Sequence, residues 1–122
     1  MCANFKPLTP QQRQDLNLPD IPFEYEDEVY PGYHLPLLFK SEQGLEWRKV
    51  MFGLVPKWAE DKSIAHKTYN ARNETLLQKP SFQEAVLKRK FGVIPVTEFY
   101  EPKYIDNKPQ HWGVRRKDGQ AF

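Results

Sequence analysis

Eleven prolines, at positions 7, 10, 19, 22, 31, 36, 56, 80, 95, 102 and 109, punctuate a chain of 122 residues. Proline has no amide donor and a fixed φ, so it breaks helix interiors and is confined to turns, edges and bulges in sheets. No long helix fits between these positions. Short strands, short helices and ordered loops remain. With 39% hydrophobic and 14% aromatic residues the chain is too apolar for a disordered polymer, and its length suffices to bury a core without covalent staples. One cysteine excludes a disulfide framework and a zinc site of several thiolates. His34, His66 and His111 show none of the close pairings of a metal site, so neither metal nor cofactor is expected. No apolar run approaches the ~20 residues of a membrane span, and residues 1–30 hold no apolar signal segment. A soluble, cytoplasmic protein without a membrane partner is the expectation.

Thr9-Pro10 starts a short helix, with Thr as N-cap and Pro in the first turn. Residues 20–30 are acidic and proline-rich and read as a surface loop. Leu35–Phe39 and Leu45–Phe52, joined by Ser41-Glu42-Gln43-Gly44, read as a β-hairpin. Pro80 opens a helix that runs to about Lys90. Phe91–Val96, Phe99–Tyr104 and Gln110–Arg116 read as strands, with Pro95 and Pro102 marking edges or bulges and a turn at 106–108. Lys117-Asp118-Gly119 has the signature of a hairpin turn, yet only three residues follow it where a return strand needs about five. The chain thus reads as one domain, residues 1–122, cut off inside a strand. The unpaired edge at 110–122 is a possible route to dimerisation.

Charge is uneven. Residues 1–30 carry two basic and six acidic groups, whereas residues 57–122 carry 13 basic and eight acidic ones. A basic half of this kind either is a solvated surface or meets phosphates.

Several residues could carry chemistry. Removal of Met1 would leave Cys2 with a thiol and a free α-amine, both available near neutral pH. Such a pair attacks an aldehyde twice, as an imine and then as a thiazolidine ring, or attacks an acyl carbon with its own amine as base. Asn70 can donate to an oxyanion or a sugar hydroxyl, and Arg72 can fork onto a phosphate. The same stretch also reads as a loop entering a helix. Glu101, in Phe99-Tyr100-Glu101-Pro102, suits acid/base work if it faces inward, where burial raises its pKa; facing outward it is an edge charge. In Phe52-Gly53-Leu54-Val55-Pro56-Lys57-Trp58, Trp58 beside Lys57 suits base stacking on a single strand or packs into the core.

Met1-Cys2, the FGLVPKW segment at 52–58, Asn70-Ala71-Arg72 with Glu74-Thr75, the strand FGVIPVTEFYE at 91–101, and Asp118-Gly119-Gln120 with Phe122 occur in the order seen in one family. Together they resemble the SOS response-associated peptidase (SRAP) domain, whose members guard abasic sites in DNA. The resemblance implies an α+β fold, a β-rich mixed open barrel with short helices. It implies that Cys2 forms a thiazolidine crosslink with an abasic site in single-stranded DNA, alongside a self-processing peptidase activity at the N-terminus. It assigns positioning of the reacting end to Asn70, acid/base work to Glu101, and DNA contacts to Arg72, Trp58 and Lys57. Three positions depart from the family pattern. Ala3-Asn4 stands where relatives have Gly-Arg, Pro102 replaces a Trp, and the family's downstream catalytic His, in an H-D-R-M-P segment, has no counterpart among His34, His66 and His111. Two other classes compete: a glutaminase-like amidohydrolase with an N-terminal nucleophile, and a non-catalytic single-strand binder related to the family.

Overall fold

The computed structural model describes residues 2–122. Its elements in chain order are β1 (Asn4–Pro7), α1 (Pro10–Asp15), β2 (His34–Ser41), β3 (Gly44–Met51), α2 (Pro80–Leu87), β4 (Val96–Ile105) and β5 (Lys108–Val114), with single 3₁₀ turns at Lys62–Lys67 and Leu76–Gln78 between β3 and α2. β1, β4 and β5 form an antiparallel sheet with β4 in the centre, and β2 and β3 form a hairpin of their own. Two bridges stitch the sheets into one body: Phe5 to Val29, and Leu38 to Val93. The fold is α+β with open sheets, and these sheets do not close into a barrel.

Strand prolines sit where an amide is not needed. Leu38 exchanges both main-chain bonds with Val93, at 2.8 Å each, so residues 36 and 38 face away from β3 and Pro36 costs the hairpin nothing. Pro102 faces His111 and Pro109 faces Tyr104, pairs that need no amide from either proline. Pro7 falls at a register shift where β4 inserts an extra residue, Thr97. The Thr97 hydroxyl satisfies that bulge by donating to the Pro7 carbonyl or to Gln12 Oε1, 3.1 and 2.6 Å away.

Two apolar clusters fill the interior. One gathers Phe5, Val29 and Leu35 with Val50, Phe52, Ile94, Val96 and Phe99. The other gathers Leu8, Trp47 and Ala121 with Leu18, Ile21, Phe23 and Leu38. Trp47 is buried with its indole N–H donating to the Pro19 carbonyl, 2.8 Å, so its polar atom is not stranded. α1 carries a full capping box between Thr9 and Gln12.

Several sequence expectations need correction. Residues 91–95 are not a strand; only Val93 bridges. Pro95 cannot continue a ladder, and Gly92 lies so close to Leu37 that a Cβ would stand 2.2 Å from its Cδ2. α2 ends at Leu87 rather than near Lys90, because Arg89 takes a positive φ of 50°. The turn at 117–119 does not start a hairpin. Arg116 and Asp118 close it as an ion pair, Gln12 Nε2 donates to the Gly119 carbonyl at 2.9 Å, and Phe122 rejoins β4 by exchanging bonds with Val96. Residues 115–121 are therefore an excursion along one sheet edge. The acidic loop at 20–30 is largely exposed, but its Val29 is wholly buried against β1.

Gly44 and Gly53 both take left-handed φ, 119° and 109°, but a Cβ on Gly44 meets nothing, whereas one on Gly53 would lie 2.4 Å from the Ala65 carbonyl. Gly44→Ala is expected to cost about 1 kcal/mol from backbone strain alone. Gly53→Ala should cost about 2 kcal/mol more, since a main-chain atom must shift. Urea unfolding of both variants checks this; equal costs would contradict the packing argument.

Candidate functional site

Cys2 lies two residues before β1. Phe5, three residues on, anchors that strand in the core, and its ring meets Phe52 edge-on at 5.1 Å; Phe52 in turn meets Tyr69 at 5.7 Å. This relay of rings fixes Tyr69, and with it the next residue, Asn70. Thr68 locks the same stretch: its hydroxyl lies 2.6 Å from the Leu54 carbonyl and 3.0 Å from that of Ile64, while its own carbonyl accepts from the Leu54 amide at 3.2 Å. Gly53 allows the close approach of the 52–54 loop to Ala65 that these bonds require.

The outcome is a contact across 68 residues of sequence: Asn70 Nδ2 donates to the Cys2 carbonyl at 2.9 Å. The Cys2 thiol, half-buried, donates to the Asn4 carbonyl at 3.3 Å. Burial pushes the thiol pKa above its ordinary value; main-chain contacts at Tyr100 and Asn4 pull it down, and the negative charge of Glu101 pushes it up again. Glu101 lies on β4 opposite Trp112 and is half-buried. Asn4, opposite Tyr100 in the β1–β4 pairing, is fully buried and donates its side-chain amide to Glu28.

The other expected site residues stand elsewhere. Arg72 is exposed, and its carbonyl accepts from the Thr75 amide at 3.1 Å. Trp58 is 60% exposed. It lines, with Leu54, Pro56, Lys57, Glu84 and Leu87, a groove of about 710 Å³ beside α2 whose walls include none of Cys2, Asn70 or Glu101. Lys57 pairs there with Glu84 at 3.4 Å, and Lys88 pairs with the same carboxylate at 2.7 Å. Hydrogen bonds from Lys88 and then Lys57 hold the Glu84 pKa below its ordinary value. So Cys2 and Asn70 touch, Glu101 reaches Cys2 through its charge, and Trp58 with Lys57 forms a second, separate feature.

Sequence reasoning gave Phe5, Phe52, Tyr69 and Thr68 no role in holding the site: Phe52 belongs to the FGLVPKW segment and Phe5 follows Met1-Cys2, whereas Thr68 and Tyr69 carry no signal beyond their proximity to Asn70. The β1–β4–β5 sheet carries aromatic and cationic pairs on both of its faces: on one, Tyr100 stacks on His111 at 5.5 Å and Lys6 lies 5.8 Å from the Tyr100 ring and 3.7 Å from Glu98, and on the other Lys103 lies 4.0 Å over Trp112. Among the described residues, no group of three His, Cys, Asp or Glu side chains is placed to hold a metal ion, and no helix is long and apolar enough to cross a membrane.

A two-sheet α+β domain that ties an amino-terminal cysteine to a distant asparagine defines a class, and comparison with known families gives that class a name. The family described as SOS response associated peptidase (SRAP) matches residues 1–122, and the chain belongs to it. It is 32% identical over 108 residues to the abasic site processing protein YoqW of Bacillus subtilis, covering 88% of this chain and 48% of that protein. It is 33% identical to the abasic site processing protein YobE of the same organism, covering 88% and 49%. The chain thus spans about half the length of these relatives. Its fold matches the crystal structure of a protein from Bordetella bronchiseptica with a TM-score of 0.84 at 22% identity, over 98% of this chain and 60% of that one.

Because the thiol pKa is raised, iodoacetamide should alkylate folded Cys2 more slowly near neutral pH than the same protein in urea. The rate should climb about tenfold per pH unit, as the thiolate fraction does, without levelling by pH 9.0, the ordinary thiol value. Levelling near pH 8 would contradict the burial effect.

Proposed function

We propose that this chain processes abasic sites in single-stranded DNA through Cys2, freed of Met1. The observation that carries this is the Asn70–Cys2 hydrogen bond, which joins two motif residues that nothing in their sequence separation brings together. Family membership and the names of the Bacillus relatives support the same reading.

The chemistry follows from the residues. An abasic deoxyribose opens to an aldehyde. The Cys2 α-amine adds to the carbonyl carbon, and loss of one water leaves an imine. The Cys2 sulfur then attacks the imine carbon, forming a C–S bond while the thiol proton goes to the nitrogen, and a five-membered thiazolidine closes. One water is released overall and no oxidant is consumed. Asn70, holding the Cys2 carbonyl, fixes the peptide that bears both nucleophiles, so the amine and sulfur keep their relative placement during the two additions. Glu101 serves as the proton shuttle for water loss and ring closure. Its negative charge adds to the burial that raises the thiol pKa.

Recognition of the strand falls to exposed aromatics flanked by cations. Trp58 with Lys57, Tyr100 and His111 with Lys6, and, on the opposite face of the sheet, Trp112 with Lys103 give base-stacking faces and phosphate contacts. Arg72, exposed two residues beyond Asn70, is placed to bind a phosphate. A self-processing peptidase step that exposes the Cys2 amine belongs to the same reading, as does a cytoplasmic setting.

The test is incubation with single-stranded DNA bearing one abasic site, followed by a denaturing gel. A covalent product is expected from protein with a free Cys2 amine and not from protein that retains Met1. Cys2→Ala should abolish the product, and Glu101→Gln should slow it by roughly 10²-fold, the scale of a lost acid/base catalyst. Salt-dependent binding without any covalent band would instead leave the protein a single-strand binder.

A further inference from the structure

The main-chain groups of β1 serve two partners in alternation. Phe5 exchanges bonds with Val29, at 3.3 and 2.9 Å, so its amide and carbonyl face away from β4. Asn4 and Lys6 therefore face β4, opposite Tyr100 and Glu98. One further step in the same register puts Cys2 opposite Pro102. At such a position each residue gives one N–H and accepts one. Pro102 has none to give. β1 stops at Asn4, and the Cys2 carbonyl accepts from the Asn70 side chain instead.

The thiol shows a related displacement. A strand side chain stands off the sheet face, but Cys2 Sγ lies 3.3 Å from the Asn4 carbonyl and also contacts the Tyr100 main chain. Both belong to the β1–β4 ladder. The thiol thus occupies the line along which the ladder would have continued. On its other side β4 loses nothing, because Pro102 and His111 form a pair without mutual main-chain bonds.

We propose that Pro102 is a positioning residue for Cys2: by withholding an amide from the sheet position facing Cys2, it leaves the Cys2 carbonyl to Asn70 and releases the cysteine from strand geometry. One side chain, rather than the ladder, then sets the direction of the Cys2 peptide and brings the sulfur toward β4, the strand that carries Glu101. The inference rests on the reading of Cys2 as the nucleophile, but the hydrogen-bond hand-over can be read without any DNA.

Four proteins decide it: the wild type, Pro102→Ala, Asn70→Ala and the double variant, with Pro102→Val as a second way of restoring the amide. Pro102 is exposed, so neither replacement disturbs the core. Hydrogen exchange followed by NMR should find the new amide at position 102 protected by at least ~10-fold, as for a bonded strand amide. Iodoacetamide alkylation of Cys2 should change about tenfold on Asn70→Ala in the wild-type background but less than about threefold in the Pro102→Ala background, the non-additivity expected of coupled neighbours. An amide at position 102 that exchanges at the unprotected rate, or equal Asn70→Ala effects in both backgrounds, overturns the proposal. If exchange and alkylation behave as expected while none of the proteins crosslinks abasic DNA, the role of Pro102 stands and the proposed function falls.

Discussion

Four residues of extended chain, Asn4–Pro7, are held from both sides, and the rest of the structure depends on that double pairing. Asn4 and Lys6 bond to β4, Phe5 bonds to Val29. A strand with its main chain satisfied on both edges cannot slide or peel without breaking several buried hydrogen bonds, each of which would leave a group costing about 1–3 kcal/mol unsatisfied. The amino-terminus of a chain is ordinarily its least ordered part. Here Asn4–Pro7 form an edge strand of the β1–β4–β5 sheet that is held on its outer side as well by the Phe5–Val29 bridge, and Cys2 lies just before it, tied by Asn70. A reactive group at a free terminus needs such a clamp, because an untethered residue would lose most of the advantage of fixed geometry.

Apolar packing turns that clamp into a site. Phe5 is buried on β1, three residues after Cys2, and its contact with Phe52, and of Phe52 with Tyr69, carries order from β1 to a loop with no regular structure of its own. Burying a side chain of this size contributes about 1.5–3 kcal/mol, and each edge-on aromatic pair adds about 0.5–1.5 kcal/mol. Those amounts are comparable to the entropy of fixing a residue or two, which is what holding Asn70 in one place requires. The site is therefore continuous with the core: weakening Phe52 would loosen Asn70 without touching Cys2.

The sequence disclosed parts of this architecture and hid others for identifiable reasons. The β2–β3 hairpin was readable because Leu45, Trp47, Lys49 and Met51 alternate with Glu46, Arg48, Val50 and Phe52, and because Gly44 marks the turn. α1 was readable from Thr9-Pro10. β1 was not: Asn-Phe-Lys-Pro is too short for a period to show, and its stability comes from two partners far along the chain. Residues 91–95 looked like a strand because Phe, Val and Ile cluster there, yet Gly92 packs under Leu37 and Pro95 closes the run. At 117–119 the Asp-Gly signal gave the turn correctly but not its consequence, since Ala121 is drawn into the core and Phe122 onto Val96. For the site, residue types and order pointed to Cys2, Asn70 and Glu101, but no pattern distinguishes an asparagine that reaches the amino-terminus from one that caps a helix. That difference lies in the Phe5–Phe52–Tyr69 relay, a tertiary fact.

The separation between the Cys2 end and the Trp58 groove has a physical meaning for recognition. In the proposed reaction, a nucleotide at Cys2 would have to leave the base stack, and a strand that bends there could not also stack continuously across the domain. Under the proposed function, two aromatic faces set apart, that of Tyr100 and His111 and that of Trp58 beside α2, would each hold the strand on one side of the reacting sugar. The Lys57–Glu84–Lys88 cluster fits that division. Glu84 neutralises part of the lysine charge beside Trp58, and Glu98, 3.7 Å from Lys6, does the same beside Tyr100, so both faces suit an apolar stacked base better than dense phosphate contact. Binding spread over two such faces would fix the strand on both sides of an abasic position, and the absent base there would let the sugar reach Cys2.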